Sequence, residues 1–317
     1  SKHWAPLLKR AFPGQWPFKR LDVDDPFATR DSAPLIDYLR SCDNNSLTAF
    51  SVDLFYSLPR DGLLSCVEAV IDEYGAVDFQ NDCGVSASGF LELLSCYLTS
   101  TFVTFDKSIY LQKQGVCIGS CIAPILSELF LARCDKALFE RLDDLKILKV
   151  FRYVDDFLIL LDTSVFIDPF DSSHSEEFIA LGDPIVSRIL ASFHACFKPL
   201  TFTTELPEQN SIKFLDLRLY FKDHACWVYE PRANKPPLPY SSSHSKLVKR
   251  NIVLSFLSSA IKKSCQHTVD ESLSSQVARL EAAGYPRYVI VSVAEALNRK
   301  RKSEASPSNE QTAENRK

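Results

Sequence analysis

Two adjacent acids, Asp155 and Asp156, interrupt an otherwise apolar run, FRYVDDFLILL, at residues 151–161. Carboxylates held side by side in a dry setting raise each other's pKa, and desolvation adds to the cost, unless cations neutralise them. A third acid, Asp53, stands inside TAFSVDLFYSLP (48–59), flanked by Val52, Leu54 and Phe55. For the Asp155–Asp156 pair a divalent cation is the natural remedy. An ordinary Asp-Asp turn in a surface hairpin is the plain alternative for the first pair. The elements around them decide between the two.

The aromatic, β-branched and large apolar residues on either side of Asp155 and Asp156 predict a strand, turn, strand hairpin with the acids at its tip. The 48–59 run reads as a strand ending at Pro59. Asp61 caps a helix over 61–75 that stops at Gly75, and a second helix is expected over about 86–100. TFVTFDKSIYLQKQ alternates as a hairpin. GVCIGSCIAPILSELFLARCDKALFERL (115–142) opens with Gly115 and Gly119 and becomes a long helix from about Ala123. Glycines there permit close backbone approach, and the helix entrance favours an anionic or polar ligand edge. After a linker at 162–175 come a helix over about 176–197 and three strands, 200–205, 212–221 and 225–231, the last two forming a hairpin. Residues 1–47 are a proline-punctuated entry with a short helix over 33–41.

From Ser245 three helices are expected, divided near 265–269 and 284–286. The net charge of −4 hides an asymmetry. Residues 1–244 carry 23 Lys and Arg against 33 Asp and Glu, a net −10, whereas residues 245–302 carry 11 against 4, a net +7. An acidic body joined to a basic helical lobe predicts cations near the first and a polyanion near the second. Lys246, Lys249, Arg250, Lys262 and Lys263 form a face for phosphates, against the plainer reading of a solvated helix surface. The polar end, 303–317, is expected to be disordered.

At 317 residues and 46% apolar content, two packed domains are more consistent with this length than one. No run approaches a membrane span. The 10 cysteines fall at irregular spacings, and Cys117 with Cys121 lacks a second pair, so neither a disulfide framework nor structural zinc is expected. An intracellular protein, nuclear or cytoplasmic and not secreted, is the expectation, with Arg299–Lys302 a weak nuclear signal. The sequence has no methionine, which predicts a piece of a longer reading frame.

In order, then, the chain offers Asp on a strand, a glycine-serine loop into a helix, an Asp-Asp hairpin, a helix and strands, and a basic helical lobe. This series resembles the palm and thumb of a reverse transcriptase. Asp53 in SVDLFYSLP falls at the first metal-binding motif, GVCIGSCIAPILSELFL resembles the substrate-binding loop and helix, and YVDD resembles the catalytic hairpin. IKFLDLRLYF with ACWVYEP looks like the strand and primer-grip hairpin that follow. FLDL and LPYSSSHSKLVKR are most similar to Penelope-like and related non-LTR retroelement polymerases, over roughly residues 48–300.

The resemblance implies an α+β fold: an antiparallel palm sheet with helices on one face, of split βαβ type, followed by a helical thumb. It divides the chain into an entry at 1–47, a palm with primer-grip hairpin at 48–231, a connection and thumb at 232–302, and a tail. It implies RNA-directed DNA polymerase activity with two Mg2+ ions, or Mn2+, held by Asp53, Asp155 and Asp156. RNA template, DNA primer and dNTPs are the implied partners. Phe55, Gln114, Gly115, Gly119, Ser120, Tyr153 and Lys198 fall on the substrate side, Lys198 as proton donor to pyrophosphate. Trp227 and Tyr229 fall in the primer grip. Three departures accompany this. Position 58 is leucine where the family carries a bulky aromatic, Cys121 replaces a proline, and residues 1–47 do not supply recognisable finger strands. Alternatives are a catalytically dead remnant that only binds nucleic acid, and an RNA polymerase or nucleotidyl cyclase on the same palm.

Overall fold

The computed structural model describes residues 25–42, 47–55, 58–113, 115–117, 122–143, 145, 147–162, 183–221, 224–232 and 235–305. The chain divides into two compact units, the first comprising 1–30 and 48–207, the second 31–47 and 208–317. The division falls at Pro207, whereas the sequence reading carried the palm to 231. The strand Ala225–Tyr229 packs on the C-terminal helices, and the strands Ser211–Phe214 and Leu217–Phe221 pair with it in one sheet of the second unit.

In the first unit, strand β1 (Leu47–Phe55) lies between β5 (Asp156–Asp162) and β6 (Thr201–Glu205), and β4 (Ile147–Tyr153) completes the order β4-β5-β1-β6. Strands β1 and β6 are antiparallel with Asp53 opposite Thr203, and β4 and β5 are antiparallel with Tyr153 opposite Asp156. The central strands are buried on both faces, which is why FLILL reads as a continuous apolar run. Phe157, Ile159 and Leu161 join one core with residues of five helices. These are α2 (Arg60–Tyr74), α3 (Ala76–Cys83), α4 (Ala87–Thr99), α5 (Ala123–Leu142) and α6 (Pro184–Cys196). Phe157 meets Phe193 and Phe197 of the α6 end edge to face, at 5.0 and 5.6 Å between ring centres.

Between α2 and α4 the structure has a helix the sequence reading did not separate, α3 (Ala76–Cys83). Gly75, at φ +99°, turns the chain and lets a new helix begin at once. Strands β2 (Phe102–Phe105) and β3 (Ser108–Leu111) form the expected hairpin, exposed along its whole length. The helix expected from 176 is described as Pro184–Cys196, and residues 163–182 lie outside the described residues.

The second unit holds α1 (Ala33–Ser41), an antiparallel meander of β7 (Ser211–Phe214), β8 (Leu217–Phe221) and β9 (Ala225–Tyr229), and three helices: α7 (Lys246–Lys263), α8 (Val269–Ala282) and α9 (Arg287–Ala305). The run 212–221, expected as one strand, is a hairpin. Leu215 adopts φ +55°, and Phe214 pairs directly with Leu217 across the turn. Ser245 caps α7 by accepting from the Val248 N–H at 3.3 Å. A separate core of Val253, Leu257, Leu280, Tyr285 and Ile290 binds the three helices. Among the described residues no helix is long and apolar enough to cross a membrane.

Candidate active site

Asp53 comes next to the Asp-Asp tip through one backbone bond. The Leu54 N–H donates to the Asp155 carbonyl at 3.1 Å, tying β1 to the two-residue turn between β4 and β5. Because side chains alternate along a strand, Val52 and Leu54 are buried while Asp53 emerges half-buried beside the tip. The result is acidic crowding. The Asp53 carboxyl is pushed up to about 6, by burial first, then by the charge and hydrogen bond of Asp156, and further by Glu205 and Asp155. The crowding favours the protonated form of Asp53, and a divalent cation among the acids relieves the repulsion.

The turn carries strain. Val154 sits at φ +59°, a conformation that a β-branched residue rarely takes and that costs on the order of 1–3 kcal/mol. Arg152, one residue before Tyr153, holds it in place: its Nη1 donates to the Val154 carbonyl at 2.9 Å. The guanidinium is 1% exposed. Its Nε donates to Asp135 of α5, itself fully buried, and its Nη2 pairs with Asp25, while Glu128 stands 3.9 Å away. The backbone of 27–29 also bonds to both backbone polar groups of Arg152. Burial raises the Asp135 carboxyl well above its usual range; Arg152 opposes this and Asp25 adds to it. One cation between two buried acids leaves an excess negative charge, which a retained proton relieves.

Asp53, Asp155 and Asp156 are therefore brought together. Tyr153 is half-buried at the tip, and Gly115 is buried at φ +74°, where a side chain would be strained. Lys198 is exposed in the connection between α6 and β6. Gln114, Gly119 and Ser120 lie outside the described residues, as does the side chain of Phe55. Leu58 is 2% exposed and belongs to the core of the first unit.

The remaining predicted residues belong to the second unit. Trp227 is 5% exposed, its ring turned inward, and Tyr229 is half-buried beneath the Lys263 ammonium at 5.8 Å. Lys263 also pairs with Asp216 at 2.5 Å, and Lys249 lies over the Tyr240 ring at 4.8 Å. Arg250 donates to Ser292, and Lys246 and Lys262 are exposed. Lys262 and Lys263 do not share one face with the others alone: with Arg40, Lys300 and Arg301 they line a cavity of about 750 Å3.

Sequence reasoning passed over Arg152, Asp135, Asp25 and Glu205. The first two carried a signal, a lone charge on a buried strand and a lone acid on the apolar side of a helix, each of which demands a partner.

No known family model matches the sequence, and neither does any curated protein. Solved structures do resemble it. A telomerase from Candida albicans, in complex with a TWJ fragment of telomeric RNA, aligns over 91% of this chain and 48% of its own, at 12% identity and a TM-score of 0.54. Apo telomerase from Candida tropicalis aligns over 89% of this chain and 50% of its own, at 11% identity and 0.49. The chain thus spans about half the length of the structures it matches. At such identities the likeness is one of fold: the mixed helical and antiparallel architecture is that of a reverse-transcriptase-like palm and thumb.

Proposed function

We propose that the chain is the palm and thumb of an RNA-directed DNA polymerase from a Penelope-like or related non-LTR retroelement, adding dNTPs to a DNA primer on an RNA template. The observation that carries this is the meeting of Asp53 with Asp155 and Asp156 on a palm-type sheet, with Asp53 pushed up to about 6 by burial and then by its acidic neighbours. The YVDD string in this ordered context supports the family, and FLDL with LPYSSSHSKLVKR supports the type.

The donor set fits magnesium, or manganese: these are hard carboxylate oxygens, crowded in a way that positive charge relieves. Asp53 and Asp155 hold the ions, with Asp156 assisting. When bound, such ions stabilise both the attacking primer oxygen and the departing pyrophosphate oxygen. The protein's own contribution is positional. The Arg152 fork keeps the turn carbonyl fixed, the Leu54–Asp155 bond sets the spacing between the strands, and Tyr153 walls the tip. Gly115, Gly119, Ser120 and Gln114 are assigned to the nucleotide side, Phe55 to the sugar, and Lys198 to proton donation to the leaving group. Tyr229 and the basic residues of the second unit, including the cavity lined by Arg40, Lys262 and Lys300, are assigned to the nucleic-acid backbone, with Trp227 as a buried support.

Primer extension by the purified chain on an RNA template with Mg2+, comparing dNTPs with NTPs, tests this. Incorporation of dNTPs is expected, abolished in Asp53→Ala and Asp155→Ala and by chelation. Near-full activity in either variant would sink the assignment. A second reading, a remnant that binds nucleic acid without catalysis, draws on Leu58, which is buried where the family places a sugar-sensing aromatic. Salt-sensitive binding of primer-template, equal in wild type and Asp155→Ala and without incorporation, would establish it instead.

A further inference from the structure

Away from the three acids, the second unit gathers soft donors. His224 directly precedes β9, Cys226 is the second residue of that strand, and Cys265 and His267 stand in the connection between α7 and α8. The pattern is His-x-Cys followed much later by its mirror, Cys-x-His. The two halves are pinned together by backbone. The Cys265 N–H donates to the Trp227 carbonyl at 3.0 Å, the Thr268 hydroxyl donates to the same carbonyl, and the Tyr229 N–H donates to Ser264 Oγ at 3.0 Å.

This places side chains that have no packing reason to meet. The Cys226 sulfur is 3.4 Å from His267 Nδ1, and the rings of His224 and His267 are 4.9 Å apart between centres. One donor atom from each of His224, Cys226 and His267 falls within 4.8 Å of the others. The Cys265 thiol is a hydrogen-bond neighbour of Cys226, and both cysteines are free. His224 and His267 are exposed, and the group opens onto a hollow of about 550 Å3, so an ion has a way in.

We propose that His224, Cys226, Cys265 and His267 form a tetrahedral Cys2His2 site for a zinc ion that clamps the β8–β9 hairpin to the α7–α8 connection. Two sulfur and two imidazole donors are the set that zinc takes in closed structural sites. With metal–sulfur bonds of about 2.3 Å and metal–nitrogen bonds of about 2.0–2.1 Å, tetrahedral donors lie roughly 3.3–3.8 Å apart. The donor atoms of His224, Cys226 and His267 are spread at most about 1 Å wider than this, a closure within reach of side-chain rotation, and Cys265, outside that trio but a hydrogen-bond neighbour of Cys226, turns in as the fourth ligand. Binding requires both thiols to lose their protons, so uptake releases protons and strengthens with pH. The function is mechanical and independent of the polymerase reading: the ion fixes the meander that carries Trp227 and Tyr229 against the helices.

The test uses the full chain, purified under reducing conditions. Elemental analysis should give one zinc per chain. Cobalt added to the stripped protein should produce the visible bands of a tetrahedral ion together with a sulfur-to-cobalt charge-transfer band. Cys226→Ser and His224→Ala should each weaken binding at least about tenfold, since even supporting groups around a metal are worth that much; Cys196→Ser, in the first unit, should leave it unchanged. His224 is exposed, so its alanine variant folds, and circular dichroism verifies this for each variant. The proposal is overturned if zinc is absent or substoichiometric, if metal content survives in a Cys226→Ser/His267→Ala double variant, or if Cys226 and Cys265 are recovered as a disulfide.

Discussion

Each unit contains a charged fork beside a hairpin, and the two are built with opposite imbalance. In the first, a single buried cation, Arg152, is shared between Asp135 and Asp25 with Glu128 nearby. In the second, a single acid, Glu230, is shared between two cations: Lys213 Nζ at 2.8 Å, and Arg218 through Nε at 2.6 Å and Nη2 at 3.2 Å. The side chains of the second fork are about a third exposed, those of Arg152 and Asp135 at most 1%. In the dry fork burial, with the second acid adding to it, drives the Asp135 carboxyl up; in the wet fork the Arg218 hydrogen bond, with Lys213 adding to it, holds Glu230 down at about 2. Burial makes the first fork costly to break, and water makes the second cheap.

The strongest way to break this comparison is Arg152→Ala. It leaves two buried acids without their cation, and removing one partner of such a group costs about 3–5 kcal/mol. Denaturant unfolding should show that loss. A cost below about 1 kcal/mol would mean water enters the fork and the contrast with Glu230 is empty. Asp53→Asn sharpens it from another side: removing one crowded charge should stabilise the metal-free protein at pH 7 by on the order of 1 kcal/mol while abolishing primer extension. A destabilised variant would remove the repulsion from the account. Glu230→Gln should cost only about 0.5–1 kcal/mol, as exposed pairs do.

The smallest effect is the pH dependence, and its sign differs between the units. Asp53 has a folded pKa raised to about 6, so the folded state binds its proton more readily than the unfolded chain. Its contribution is most favourable below about pH 4 and is lost as pH rises through about 6. Glu230 is lowered to about 2, so its contribution is present above about pH 4.5 and is lost as pH falls through about 2. Both groups are partly exposed, and screening keeps each effect near 1 kcal/mol or below. Unfolding of the metal-free chain across this range should lose the upper slope in Asp53→Asn and the lower slope in Glu230→Gln.

What could be read from the sequence follows from how local each signal is. Asp155, Asp156 and Asp53 stood out because charge inside an apolar strand is anomalous wherever it occurs, and the ranges of α1, α5 and the three C-terminal helices followed from caps, glycines and prolines. The turn at Leu215 was hidden, because the sequence places a large apolar residue at a positive φ where turn rules expect glycine or asparagine. The partners of Arg152 were hidden for another reason. Asp25 and Asp135 meet it only once a helix, a strand and an N-terminal segment are packed. His224, Cys226, Cys265 and His267 escaped because zinc spacing rules look for paired cysteines a few residues apart, and here each pair mixes types and its mate lies across the meander.

The Arg152 fork has a consequence for motion. Its guanidinium grips the Val154 carbonyl with one nitrogen while the others grip α5 and the segment around Asp25. The turn therefore cannot fray alone, as hairpin ends usually do, without also uncovering a buried ionic group. Amide exchange at the tip should proceed with the opening of the whole first unit, at rates matching its core strands, whereas the exposed β2–β3 hairpin should exchange through local opening. The least protected position by location is thereby among the last to open.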